Sequence, residues 1–319
     1  MNILVGIDGG GTKTVFCAAD QTGRLLGTEI LLGCSYRQYS LATIQKRIKE
    51  GISACLGTVP VSEVSVIAFG VPCFGENEEK DREIEEMLRV SFPESQIVLV
   101  NDVEVAWFAS SGGKPSIHVV AGTGSIAYGR NREGKYARSG GWPEFFGDEG
   151  SCHWLGRKTM ELFSKQIDGR LPKSPLYDLM SDHLKLVRDE DFIFIADELI
   201  PYRDKVASLQ IILAHAARDG DQYAVTAYHE AIEELVLLIS SIQSSLKLDQ
   251  SFSVFYSGGL FHAGELVLPH LRECVQRMGG SLQSPLLKPM YGGLILAYSA
   301  LGFNDINSFI DQLTRQTEN

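Results

Sequence analysis

Asp8 closes an apolar run, Ile3 to Ile7, and is followed at once by Gly9-Gly10-Gly11-Thr12-Lys13-Thr14. A buried strand ending in a carboxylate and then a triple glycine suits a backbone wrapped around phosphate. Glycines let the main chain come close and turn where a side chain would clash. Successive N–H groups can then face an anion, with the Thr12 and Thr14 hydroxyls and the Lys13 ammonium beside them. Asp8 is a candidate magnesium ligand, directly or through water, because that ion favours carboxylates next to substrate phosphates. The spacing fits neither the P-loop, with its GxxxxGK[ST], nor a dinucleotide fingerprint, whose acid follows the glycines by about 20 residues. A Gly-rich turn without any ligand would look similar.

Four further segments have the same character. Gly122-Thr123-Gly124-Ser125 follows a second apolar run, and Ser257-Gly258-Gly259 and Tyr291-Gly292-Gly293 each open a helix. Asn101-Asp102 sets a carboxylate at a strand end. The densest cluster is Gly140-Gly141-Trp142-Pro143-Glu144-Phe145-Phe146-Gly147-Asp148-Glu149-Gly150-Ser151. Trp142 offers a flat apolar face suited to a sugar ring. Asp148 and Glu149 can accept hydroxyl hydrogen bonds, or else cap the helix that begins near Ser151. Two phosphate turns, a carboxylate base and a polar acceptor site together suit phosphoryl transfer, which needs mainly positioning and electrostatic relief.

The elements that must position these residues alternate. Residues 15–20 and 25–32 read as strands after the first loop, with a turn at Gly23. Helices are expected over 40–56, 78–92 and from 103 to 110, and strands over 64–71 and 97–100. Ser111-Gly112-Gly113-Lys114-Pro115 is the candidate linker. The pattern then restarts, with strands over 117–121 and 126–130 and a turn at Gly134, so strand–Gly/Thr loop–strand–turn occurs in each half. Helices over 151–166, 175–187 and 205–218 and a long one after Asp221 follow. A strand over 252–256 and helices over 293–302 and 306–315 end the chain. The expected domains are 1–112, completed by a C-terminal helix at about 303–319, and a larger domain over 113–302 with a helical insertion.

The chain has 319 residues, is 44% hydrophobic and 22% charged, and carries a net charge of −11. That balance suits a globular protein and argues against a nucleic-acid partner. Six scattered cysteines form no CxxC pair and no zinc spacing, which suits a reducing compartment. No secretory leader and no membrane span are expected, so the cytoplasm is the expected location.

The order of these motifs resembles the actin–hexokinase ATPase superfamily. It is most similar to N-acetylglucosamine kinase-like members of the BadF/BadG/BcrA/BcrD ATPase family. The motifs shared, in order, are the 8–14 loop, Asn101-Asp102, Gly122 to Ser125, Gly140-Gly141-Trp142, Gly147 to Ser151 and Ser257-Gly258-Gly259. The resemblance implies an α/β fold of two ribonuclease H-like domains with a central cleft, and ATP with Mg2+ as cofactors. It also implies transfer of the γ-phosphate to the 6-hydroxyl of an amino sugar. On it, Asp102 is the catalytic base and Asp8 lies at the magnesium. Gly10, Gly11, Thr12, Lys13, Thr14, Gly122, Thr123, Gly124, Gly258 and Gly259 hold the nucleotide. Tyr36, Asp102, Ser125, Gly141, Trp142 and Asp148 line the sugar site.

Animal members carry Asn in the loop after the third strand, where this chain has Gly33-Cys34-Ser35-Tyr36. N-acetylglucosamine is the first expected acceptor, and glucosamine, N-acetylmuramic acid or another hexose stay open. Dimers are common among such kinases, so a homodimer is implied. Two other readings share the scaffold. One is an activator ATPase of an iron–sulfur dehydratase, which would need cysteines near a Gly-rich segment. The other is a sugar-sensing regulator, which would carry a helix-turn-helix prefix and a Cys/His zinc motif.

Overall fold

The computed structural model describes residues 2–248, 251–303 and 305–317. The chain divides into two units, Met1–Pro115 with Ser284–Asn319, and Ser116–Gln283.

The first unit begins with β1 (Ile3–Asp8), β2 (Lys13–Asp20) and β3 (Leu25–Leu32), an antiparallel meander. After α1 (Leu41–Leu56) come β4 (Val64–Val71), α2 (Glu78–Ser91), β5 (Gln96–Asn101) and α3 (Asp102–Ser111). The sheet order is β3-β2-β1-β4-β5, with β4 parallel to both β1 and β5. Parallel neighbours point their C-terminal ends the same way, so Asp8 and Asp102 both emerge at that edge. They stand two strands apart, about 10 Å between backbones. The Ile44, Ile48 and Ile52 stripe of α1 is fully buried against the sheet. Each such side chain contributes about 1.5–3 kcal/mol relative to exposure.

The second unit repeats this plan with β6 (Ser116–Ala121), β7 (Ser125–Arg130) and β8 (Tyr136–Gly140). A helical insertion follows: α4 (Cys152–Ile167), α5 (Pro175–Leu184), α6 (Phe192–Leu199), α7 (Arg203–Ser208), α8 (Gln210–Arg218) and α9 (Gln222–Leu246). Then come β9 (Ser253–Ser257), a 3-10 segment (Gly259–Leu266), α10 (Leu268–Arg277) and β10 (Ser281–Gln283). The sheet order β10-β9-β6-β7-β8 matches the first, with a meander followed by parallel additions. The α9 stripe Ala231, Leu235, Ile239 and Ile242 is fully buried. The chain ends in the first unit with α11 (Gly292–Ala300) and α12 (Ile306–Thr317).

Several boundaries depart from the sequence reading. The helix expected over 205–218 is two helices, α7 and α8. The one expected to reach residue 187 stops at Leu184, because Lys185 turns left-handed at φ 53°. The α6, α10 and β10 elements were not foreseen. The expected domain limit at residue 302 falls instead at 283, because α11 packs on β1 in the first unit. Gly6 and Gly293 make that packing possible, since a Cβ on Gly293 would lie 2.7 Å from the Gly6 Cα.

Candidate active site

In the first unit, the glycine loop is braced from behind by the residues after β3. The Gly33 N–H donates to the Thr12 carbonyl (2.9 Å) and the Cys34 N–H to the Gly10 carbonyl (3.0 Å). This leaves Gly10 and Gly11 half-buried and the Thr12 and Lys13 side chains exposed, able to meet an anion. Thr14 does not join them. It is fully buried, and its hydroxyl donates to Cys34 Sγ at 3.0 Å. Period-two alternation along β2 turns Thr14 into the core, so the expected phosphate contact is corrected to a packing role.

Asp102 is the first residue of α3. The Val103 N–H donates to Asp102 Oδ1 (2.9 Å) and to the capping Asn101 Oδ1 (3.2 Å). Asn101 also donates from Nδ2 to the Phe74 carbonyl at 2.9 Å, tying the loop after β4 to the helix that carries the acid. Gly70 on β4 makes room for this approach, since a Cβ there would lie 3.1 Å from the Asp102 Cα and 2.5 Å from Val105 Cγ2.

Both acids are pushed up. Burial raises Asp8 to about 6 against the opposing pull of Lys13. Burial and then the Asp8 charge raise Asp102 to about 7, with the Val103 N–H opposing. The effect is one-sided: the Asp8 charge adds to the burial of Asp102, while Asp8 itself is raised by burial alone.

Tyr36 is committed elsewhere than expected. Its hydroxyl donates to the Cys73 carbonyl at 2.8 Å, where Cys73 adopts a left-handed φ of 66°. The hydroxyl therefore latches the loop after β4, and its oxygen lone pairs are what it has left to offer a sugar.

In the second unit, the 122–125 loop sits against the start of α4. The Gly122 carbonyl accepts from the Cys152 N–H at 2.9 Å, and the Gly122 N–H donates to the Gly124 carbonyl at 2.9 Å. The Thr123 side chain is left exposed. Gly258, at φ 112°, lies against this loop, and a Cβ on it would be 2.8 Å from the Gly122 nitrogen. The half-buried Gly258 and Gly259 thus adjoin Gly122, where a Cβ would lie 4.0 Å from the Gly258 Cα and from the Gly259 nitrogen. Behind them the fully buried His118 makes a 2.8 Å hydrogen bond through Nε2 with Ser257 Oγ, and burial drives its pKa down to about 3, so it stays neutral. Sequence reading did not single out His118, which looks like any residue of an apolar strand.

Gly141 donates its N–H to the Ser125 carbonyl at 2.9 Å, and Trp142 beside it is 57% exposed. The Ser125 hydroxyl and Asp148 are turned inward instead. Ser125 Oγ donates to the Glu149 carbonyl at 2.6 Å, and the Ser125 N–H donates to Asp148 Oδ1 at 3.0 Å. Asp148, at φ 60° and nearly fully buried, also pairs with the Arg203 guanidinium from α7. Both side chains expected to contact sugar hold the loop in this structure. Arg203 was missed because it lies 55 residues away with no local pattern to mark it.

Beside this pair lies a cavity of about 490 Å3, with Glu144, His153, Arg157, Met160, Arg203 and Val206 in its wall. Its size is that of sites that bury small ligands, about 300–1,000 Å3. His153 is buried, its Nδ1 has no hydrogen-bond partner among the described residues, and burial and then Arg203 lower its pKa.

An N-acetylmuramic acid/N-acetylglucosamine kinase from Clostridium acetobutylicum is 34% identical over 262 residues, 81% of this chain and 85% of its own. An N-acetyl-D-glucosamine kinase from Dictyostelium discoideum is 32% identical over 273 residues, again 81% and 85%. The solved structure of a candidate N-acetylglucosamine kinase from Chromobacterium violaceum has the same fold, with a TM-score of 0.72 at 24% identity, covering 93% of this chain and 99% of its own. Residues 5–297 match the model of one ATPase family, and with those two relatives this places the protein: the chain belongs to the BadF/BadG/BcrA/BcrD ATPase family.

Proposed function

We propose that the protein is an ATP-dependent amino-sugar kinase that phosphorylates the 6-hydroxyl of N-acetylglucosamine and accepts N-acetylmuramic acid as a second substrate. The observation that carries this reading is the placement of Asp102, a carboxylate at the start of α3 and just past the end of β5, on the same sheet edge as Asp8; burial raises its pKa into the range of a general base. Its acceptor range rests on the two curated relatives named above, both kinases of N-acetylated amino sugars.

In the reaction, Asp102 accepts the proton from the attacking hydroxyl. The N–H groups of the Gly10 to Thr12 turn, with Lys13, and those of the Gly122 to Gly124 turn, with the Thr123 hydroxyl, hold phosphate oxygens. Asp8 is the residue that would hold Mg2+, an ion that neutralises phosphate charge during such transfers. Gly258 and Gly259 let the adenosine lie close to the backbone. Trp142 offers an apolar face to the sugar.

A coupled assay of ADP release tests the proposal with glucosamine, N-acetylglucosamine, N-acetylmuramic acid, N-acetylmannosamine and glucose as acceptors. Turnover highest with an N-acetylated sugar is the expected result. ADP release indifferent to every sugar would overturn it.

A further inference from the structure

The facing helices α9 and α10 carry a cluster that includes none of the loop residues discussed so far. His229 and Glu233 stand four apart on α9, and His270 and Cys274 four apart on α10, so each pair lies on one helical face. His270 Nε2 is 3.0 Å from Glu233 Oε1, and Cys274 Sγ is 4.0 Å from each of those atoms. The His229 ring lies against that of His270, with centroids 5.0 Å apart and planes at 31°.

We infer that Glu233, His270 and Cys274 form a zinc site, with water as the fourth ligand. In a tetrahedral zinc centre the metal–ligand distances of about 2.0–2.3 Å put donor atoms roughly 3.3–3.6 Å apart. The observed triangle of 3.0, 4.0 and 4.0 Å straddles that range, so sub-ångström side-chain shifts close it around an ion. Access is graded, with Cys274 buried, His270 half-buried and Glu233 61% exposed at the rim. The donor chemistry decides the metal. A thiolate with an imidazole and a carboxylate selects a borderline ion such as Zn2+ over the hard Mg2+ that accompanies ATP. When Cys274 ligates, its S–H proton passes to solvent and a Zn–S bond forms. The bound ion then ties α9 to α10.

The test uses the full chain, stripped with a chelator and titrated with ZnCl2 against a chromophoric competitor, and separately loaded with Co2+. The expected result is one equivalent of zinc bound at micromolar or lower dissociation constant, with a higher Tm. The Co2+ form should show thiolate-to-cobalt charge-transfer absorption. Cys274→Ser should abolish that band and weaken zinc binding tenfold or more, and Glu233→Gln should weaken it several-fold. Zinc uptake unchanged by Cys274→Ser would assign the ion to surface histidines and overturn the inference. So would a Co2+ spectrum of the unsubstituted protein without a sulfur band, a readout that does not depend on any variant folding.

Discussion

The Arg203 guanidinium closes on the buried Asp148 carboxylate directly over Gly124, where a Cβ would stand 2.6 Å from Arg203 Nη2. A side chain on the second glycine of that turn would press on both ends of the ion pair behind it. Gly124→Ala should part the pair and misplace Thr123. We predict an ATP KM raised roughly tenfold or more, as expected when a hydrogen bond to a charged group is lost. An unchanged KM would show that the turn tolerates the added methyl.

Removing the cation tests the same pair from the other side. Arg203→Met leaves Asp148 buried with only the Ser125 N–H, and should cost about 1–3 kcal/mol of stability. Adding Asp148→Asn should recover part of that loss, since the stranded charge goes with it. Urea unfolding of the four proteins measures the coupling.

Asp102→Asn should lower kcat by about 10²–10⁴-fold, the usual contribution of a general base. The same change should stabilise the fold. A carboxyl whose native pKa is raised from 3.8 to about 7 binds more protons folded than unfolded between those pH values. Its contribution to stability therefore falls as pH rises through that window and is least favourable above it. The Asn variant should melt higher than the parent at pH 8, by on the order of 2 °C, and the gap should shrink towards pH 4. Equal melting at pH 8 would show the charge to be well solvated.

The pH profile follows the same sign. The base must be ionised, so kcat/KM of the free enzyme should rise with pH up to about 7 and then level. Asp102→Glu, if active, should move that rise. A flat profile between pH 5 and 8 would argue for a base of ordinary acidity.

The three threonines of the two turns should separate. Thr12→Val and Thr123→Val should weaken ATP use roughly tenfold each, while sugar affinity holds. Thr14→Val should leave the ATP KM near its parent value and cost about 1 kcal/mol of stability for the lost Cys34 contact.

Much of this was legible in the chain. Apolar runs bounded by glycines marked β1, β2, β6 and β7, and their repetition matched the two sheets. The loops that carry Asp8, Thr12, Asp102 and Thr123 were found because glycine and strand-end acids are local signals. What escaped depended on partners distant in sequence. No pattern near Thr14, Tyr36 or Ser125 shows which way a hydroxyl turns, and each was settled by an atom 20 to 37 residues away. The α10 helix escaped because only Leu271, Cys274 and Val275 of its ten residues are buried, too thin a stripe to stand out. A search for paired cysteines could not find a cluster split between positions 233 and 270–274.

The backbone meeting of Gly6 with Gly293 also orders events at the ribosome. β1 must wait for α11, synthesised nearly 300 residues later, before its sheet is covered. The 116–283 segment holds its own core and can settle while still tethered. Nascent chains arrested once residue 283 has cleared the tunnel, with α11 still inside it, should thus resist protease over 116–283 while residues 1–115 are still cut.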